Sequence, residues 1–180
     1  CRGTYPVRCG FGDLRIPPGG PLPAWDEDTS QETYDPDETL RLGALLGVTE
    51  GPGTLLLRGP AAAYASSLAR LIEGVEVVAM DGRLSAAQES KGVSRMVTRS
   101  GIPFFSASFK GALLSGDILQ PDMEEGARVL APSSRLVALE PPPGAGEWAT
   151  AAGLKLILEE EAALVAVREA SGTLPLVTLR

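Results

Sequence analysis

Asp81 and Asp117 each stand directly behind an apolar run, VEVVAM for the first and GALLSG for the second. In open α/β sheets, ligands bind beyond the carboxyl ends of the strands, and a carboxylate after the second strand takes a ribose hydroxyl. Asp81 has the placement for that role. Asp117, with Ser115 beside it, has the placement of a general base for a substrate proton, set against the ordinary alternative of a solvated loop aspartate. Arg58 and Gly59 follow the run TLLL and precede a helical pattern. A cation there, helped by the positive end of a helix, is suited to a phosphate or carboxylate, or alternatively to pairing with Asp81 or Asp117 and plugging the pocket. The plug is the favoured expectation. A glycine-rich turn that would let the backbone approach a cofactor is reduced to Gly59, with Pro60 contributing no N–H.

Other chemistries are excluded by what is absent. The 180 residues contain no histidine, which removes the Ser-His-Asp triad, an imidazole base and histidine metal ligands. With Cys1 and Cys9 as the only cysteines, a structural zinc site is not expected. The net charge of -7, with no cluster of Lys and Arg, is opposed to a nucleic-acid surface. No apolar run approaches the roughly 20 residues that cross a bilayer. Membrane contact is therefore expected only peripherally or through a lipid.

The elements that must position these residues begin with Thr54 to Asp81, which reads as strand, sharp turn, helix, turn and strand. Leu55 to Leu57 form the first run, Tyr64, Leu68, Leu71 and Ile72 repeat at helical spacing, Gly74 ends the helix, and Val75, Val77, Val78 and Ala79 form the second strand. The unit is a right-handed βαβ crossover. Asp37 to Gly47 is expected as a short capped helix. After Asp81, Ser85 to Lys91 reads as a short helix and Ser94 to Thr98 as a third strand, placed at an edge by Arg95 and Arg99. Gly111 to Leu114 is a buried strand. A helix capped by Asp122 with Glu125 three residues on runs to Pro132, followed by the strand Arg135 to Leu139 and a short helix over Glu147 to Ala152. Leu154 to Leu158 and Ala163 to Val167 flank an acidic link and read as an antiparallel hairpin. With 44% hydrophobic residues, the chain has enough apolar content for one buried core.

Residues 1–34 are rich in Pro, Gly and acids and read as an extended arm suited to lie along a partner protein. Trp25 and Tyr34 are expected to pack back on their own domain rather than anchor on that partner. Cys1 is compatible with a cytoplasmic protein that has lost its initiator Met, with a processed lipoprotein whose thiol carries lipid, and with a Cys1–Cys9 disulfide in an oxidising compartment. The expected organisation is an arm over 1–34, an α/β domain over 35–170 and a tail over 171–180.

Four stretches, LGALLGVTEGPGTLLL, VEVVAMD, IPFFSASFKGALLSGD and ARVLAPSSRLVALEPP, resemble in order and spacing the class I S-adenosylmethionine-dependent methyltransferases over about residues 37–168. The resemblance implies a doubly wound, mostly parallel seven-stranded sheet finished by a C-terminal antiparallel hairpin. It also implies a cofactor loop of the type VLDLGCGTG. TLLLRGPAA aligns with that loop without gaps, putting Leu56 at the acid that holds the cofactor's amino end and Arg58, Pro60 and Ala62 at the three glycines. Asp81 matches the ribose-binding acid, and Gly59 is the one glycine that survives in the loop, expected with Asp81 to contact any bound cofactor. The later acid falls near Ser100 and is missing, Lys110 replaces the Asp of the SFD-like segment, and Ser133 and Ser134 replace paired glycines. The expectation is a non-catalytic methyltransferase-like domain, without cofactor, serving as an accessory or scaffold subunit whose partners are proteins bound through the arm. The alternative is an active methyltransferase that uses S-adenosylmethionine in an atypical pocket. Its location is expected to be cytoplasmic, or at a membrane through lipidated Cys1.

Overall fold

Successive residues of a strand point to opposite faces, and the central runs of this chain are apolar on both. Leu55 and Leu57 enter one buried cluster with Val77, Ala79, Leu113 and Val137. Leu56 enters the other with Val78, Met80, Ala112, Leu114, Leu136 and Ala138. A strand apolar on both faces must be covered on both, which is the pattern of a parallel sheet between two helical layers. The computed structural model describes residues 5–15, 22, 35–99 and 101–170, and it shows that arrangement.

In chain order the strands are β1 (Val7–Arg8), β2 (Phe11–Asp13), β3 (Gly53–Arg58), β4 (Val75–Met80), β5 (Val93–Val97), β6 (Phe109–Leu114), β7 (Leu130–Leu139), β8 (Lys155–Glu159) and β9 (Ala163–Val167). The helices are α1 (Pro36–Leu46), α2 (Ala65–Leu71), α3 (Gln120–Val129) and α4 (Ala145–Ala151), with 3-10 turns over Pro60–Tyr64 and Gly82–Ala86. The sheet order is β1-β2-β5-β4-β3-β6-β7-β9-β8. β2 through β7 run parallel, while β1 and the pair β9 and β8 run antiparallel to their neighbours. Residues of α1 and α2 (Leu42, Leu46, Leu68) join the first cluster, and residues of α3 and α4 (Met123, Ala127, Ala149) join the second. Each fully buried leucine contributes about 1.5–3 kcal/mol relative to exposure.

The sheet has nine strands where seven were expected. The two extra ones come from the arm, whose Phe11 is 4% exposed and whose β2 extends the sheet beside β5. β5 is consequently not an edge. Arg95, read as an edge signal, is 5% exposed, because backbone carbonyls satisfy its guanidinium. Local boundaries also move. Asp35, not Asp37, caps α1, accepting from the N–H groups of Asp37 and Glu38. Leu119 stands at the cap of α3, and Asp122 sits inside its first turn and reaches back to the Leu119 N–H at 3.0 Å. Ser85 to Lys91 forms no α-helix; its first two residues close the 3-10 turn Gly82–Ala86. Cys1, Trp25, Tyr34 and the tail lie outside the described residues. Cys9 is an exposed free thiol. Among the described residues no helix is long and apolar enough to cross a membrane, and no group of three or more Cys, Asp and Glu is placed to hold a metal ion.

Candidate functional site

From β3 the chain first moves to β4 and β5 on one side, then returns to β6 and β7 on the other. That reversal leaves a crevice at the carboxyl ends of β3 and β6, where doubly wound sheets place their ligands. A cleft of about 220 Å³ lies there, lined by Arg58, Gly59, Asp81, Thr98, Ser115 and Asp117 among others. Arg58, Gly59, Asp81, Ser115 and Asp117, singled out from the sequence, are thus brought together. Lys110 and Ser133 are not. Lys110 lies against Gly53, the first residue of β3, at the opposite end of the strand. Ser133 is in the left-handed region at φ 64° in the early part of β7, and Ser134 is buried. Ser100 lies outside the described residues.

Inside the cleft, polar groups are engaged by the chain itself. Asp81 caps the 3-10 turn that follows it, accepting the Arg83 N–H at 2.8 Å. The Arg83 guanidinium also folds onto the same carboxylate, with Nε 3.0 Å from each oxygen. Hydrogen bonding to Asp81 raises the pKa of Arg83, against the opposing effect of its partial burial. Arg58 is ion-paired, but with Asp122 at 2.8 Å rather than with Asp81 or Asp117. Asp117 is exposed at the rim.

The cofactor-loop backbone is equally committed. The Gly59 N–H donates to the Met80 carbonyl at 3.2 Å, Pro60 has none, and the Ala62 N–H donates to the Gly59 carbonyl at 2.9 Å. The Ala61 N–H donates to Ser115 Oγ at 2.8 Å, and Ser115 Oγ in turn donates to the Arg58 carbonyl at 3.0 Å. Ser115 therefore braces the loop from the neighbouring strand. Gly59 sits at φ 79°, ψ -156°, and a Cβ there would come within 2.1 Å of the Ser115 carbonyl oxygen. Its presence is explained by this close approach of two backbones. Leu56, at the position of the amino-end acid, is fully buried.

The sequence reading missed Arg83 and Asp122. A signal for the first was present: Asp-x-Arg occurs twice, at Asp13–Arg15 and Asp81–Arg83, each time at the carboxyl end of a strand. Arg15 closes on Asp13 in the same way, with Nε to Oδ1 at 2.8 Å and Nη2 to Oδ2 at 2.7 Å. That hydrogen bonding lowers the Asp13 pKa. No comparable local pattern joins Arg58 to Asp122, because α3 brings that acid to the cleft only in the folded chain.

A chain of the complex between the Haloferax volcanii Trm112 methyltransferase activator and a candidate methyltransferase superposes with TM-score 0.59 at 15% identity, covering 80% of this chain and 93% of that one. A TehB-like SAM-dependent methyltransferase from Corynebacterium glutamicum superposes with TM-score 0.57 at 17% identity, covering 79% and 92%. The fold is that of the class I S-adenosylmethionine-dependent methyltransferases. A longer example, a candidate sarcosine dimethylglycine methyltransferase from Galdieria sulphuraria, superposes with TM-score 0.53 at 16% identity, this chain spanning 62% of it. No protein-family model and no curated protein sequence matches the chain. Within the methyltransferase fold, β3, β4, β6 and β7 are the strands that the four resembling stretches were expected to supply.

Proposed function

We propose that this chain is a non-catalytic domain on the methyltransferase fold, serving as an accessory or scaffold subunit within a larger protein assembly. The observation that carries this reading is the occupation of the cofactor loop: every N–H from Gly59 to Ala62 donates to a protein acceptor, and Asp81 is held by Arg83. A cofactor would have to break these bonds, the neutral loop ones worth about 0.5–1.5 kcal/mol each and the charge-assisted Asp81–Arg83 bonding about 1.5–3 kcal/mol. The cleft, at about 220 Å³, is also smaller than the roughly 300–1,000 Å³ of ordinary small-molecule sites. Protein partnership is supported by one structural neighbour being drawn from a complex of a methyltransferase activator with a candidate methyltransferase.

The test is isothermal calorimetry with S-adenosylmethionine and S-adenosylhomocysteine, checked by thermal shift. No heat and no shift at millimolar ligand are expected. Micromolar binding would overturn the proposal and establish the second reading, an active methyltransferase with an atypical pocket. One observation favours that reading: Asp81 and Asp117 line the same solvent-open cleft at the ligand end of the sheet. Methyl transfer can proceed largely by proximity and orientation, without a dedicated base.

A further inference from the structure

We propose that the amino-terminal hairpin is a conformational clasp on Asp81, acting through Arg95. β1 and β2 are joined by the two-residue turn Cys9–Gly10, both residues at positive φ (47° and 68°), as a tight primed hairpin turn requires. The hairpin is fixed to the sheet where β2 pairs with β5 through Phe11 with Arg95, Gly12 with Met96 and Asp13 with Val97. It touches the rest of the molecule a second time at its turn. Arg95 Nη2 donates to the Cys9 carbonyl at 2.5 Å, and Nη1 of the same guanidinium donates to the carbonyls of Leu84, at 3.0 Å, and Ala87.

Leu84 is the middle residue of the 3-10 turn Gly82–Ala86 and Ala87 caps its end, while its beginning is capped by Asp81 and carries Arg83. The turn is therefore pinned at its start by the Asp81–Arg83 contact and at its end by Arg95. The other hand of Arg95 is on the hairpin. Glu89, just past the turn, lies over Gly10: a Cβ added to Gly10 would come within 2.8 Å of its Oε1. Phe11 of the hairpin and Leu84 of the turn share one buried cluster.

A buried guanidinium is tolerated only while its N–H groups have acceptors. If the hairpin leaves, Arg95 loses the Cys9 carbonyl and gains water on that side, and its hold on Leu84 and Ala87 weakens. A single 3-10 turn has little stability of its own. Loosening the turn releases Arg83 and frees the Asp81 carboxylate towards the cleft. The Arg83–Asp81 contact is thus one whose strength depends on the hairpin. The coupling itself is independent of the function proposed above; only its consequence for a ligand rests on Asp81 facing a cofactor site.

Hydrogen exchange of the full chain tests the coupling without any ligand, so its failure is separable from a calorimetric result. Gly10→Val strains the positive-φ turn and collides with Glu89. It is expected to speed exchange in 7–13 and also in 82–87 by about tenfold, the scale of one charge-assisted hydrogen bond, while 120–129 and 145–151 keep their rates. Arg95→Met should speed 82–87 to the same degree. In the Arg95→Met background, Gly10→Val should then add nothing to 82–87 while still speeding 7–13. Gly10→Ala and Arg95→Lys carry the same comparison should the stronger variants not fold. Fast exchange in 7–13 with 82–87 at the wild-type rate, or additive effects in the double variant, overturns the proposal.

Discussion

Single residues at the cleft brace the fold, and Gly59 is the clearest case. Its backbone conformation is accessible almost only to glycine, and a Cβ would meet the Ser115 carbonyl oxygen at 2.1 Å. Gly59→Ala is expected to cost at least about 3 kcal/mol of stability in chemical denaturation. A cofactor-contact role alone would leave the melt unchanged, so an unperturbed variant sinks the bracing account. Arg58 makes a related prediction. Its ion pair with Asp122 is about one-third exposed on the arginine side, so solvent screening limits its value to about 1 kcal/mol. Arg58→Gly should widen the cleft and lower stability by that amount, and Asp122→Asn should add little to it in a double-mutant cycle. If stability is unchanged and phosphate binding falls instead, Arg58 serves an anion. The sequence placed Arg58 and Asp81 at the cleft correctly because strand ends are legible from apolar runs. It could not pair Arg58 correctly, since Asp122 lies 64 residues away and its approach is set by how α3 packs.

At the scale of elements, arginines close helix and turn ends. Arg135 donates to the carbonyls of Ala44 and Leu45 at the end of α1, Arg168 to those of Ala127, Arg128 and Leu130 at the end of α3, and Arg95 to the turn after β4. Cations so placed meet the negative ends of helices and supply donors to carbonyls that lack intrahelical partners. They are spread through the fold, which agrees with the absence of a basic surface in the composition. Glu125 and Arg128 join α3 to the loop after β5: Arg128 donates to Ile102 and Phe104 carbonyls, and Glu125 accepts the Ile102 N–H at 2.9 Å. Hydrogen bonds from the Arg128 side chain hold the Glu125 carboxyl below its ordinary value, against the raising effect of burial and with help from the Ile102 N–H. A depressed carboxylate stabilises the fold above its unfolded pKa, and that contribution is lost as pH falls through the folded one. Glu125→Gln should therefore be less stable than wild type at neutral pH, and the gap should close in acid below the ordinary glutamate range. Urea midpoints measured against pH decide this; a gap independent of pH rejects it. The parallel strands and terminal hairpin were readable from apolar runs of the right length. The β1–β2 hairpin was not, because Cys-Gly is a weak turn signal and the strands it joins have only two and three residues.

For the whole molecule, the same central strand that would hold a cofactor also joins the two halves of the core. Leu55 and Leu57 face one buried cluster and Leu56 the other, all three fully buried. Restoring the acid expected of a working cofactor site, Leu56→Asp, would place a carboxylate among Leu114, Met123 and Leu136 rather than in a solvated pocket. Burial raises such a pKa, because the charged form loses its hydration. The penalty is then small below the unfolded aspartate pKa of about 3.9 and grows as pH rises from there to the raised folded value, above which it stays constant. At neutral pH it should reach several kcal/mol, a large share of the roughly 5–15 kcal/mol that holds a domain together. Leu56→Asn supplies the control, since its cost carries no titration and should not vary with pH. Urea denaturation of both variants across pH 3 to 8 separates the outcomes, a range chosen to span the ordinary and raised carboxyl values. An aspartate variant as stable as wild type at neutral pH would mean that water or a polar pocket reaches position 56, and would move the balance towards the enzyme.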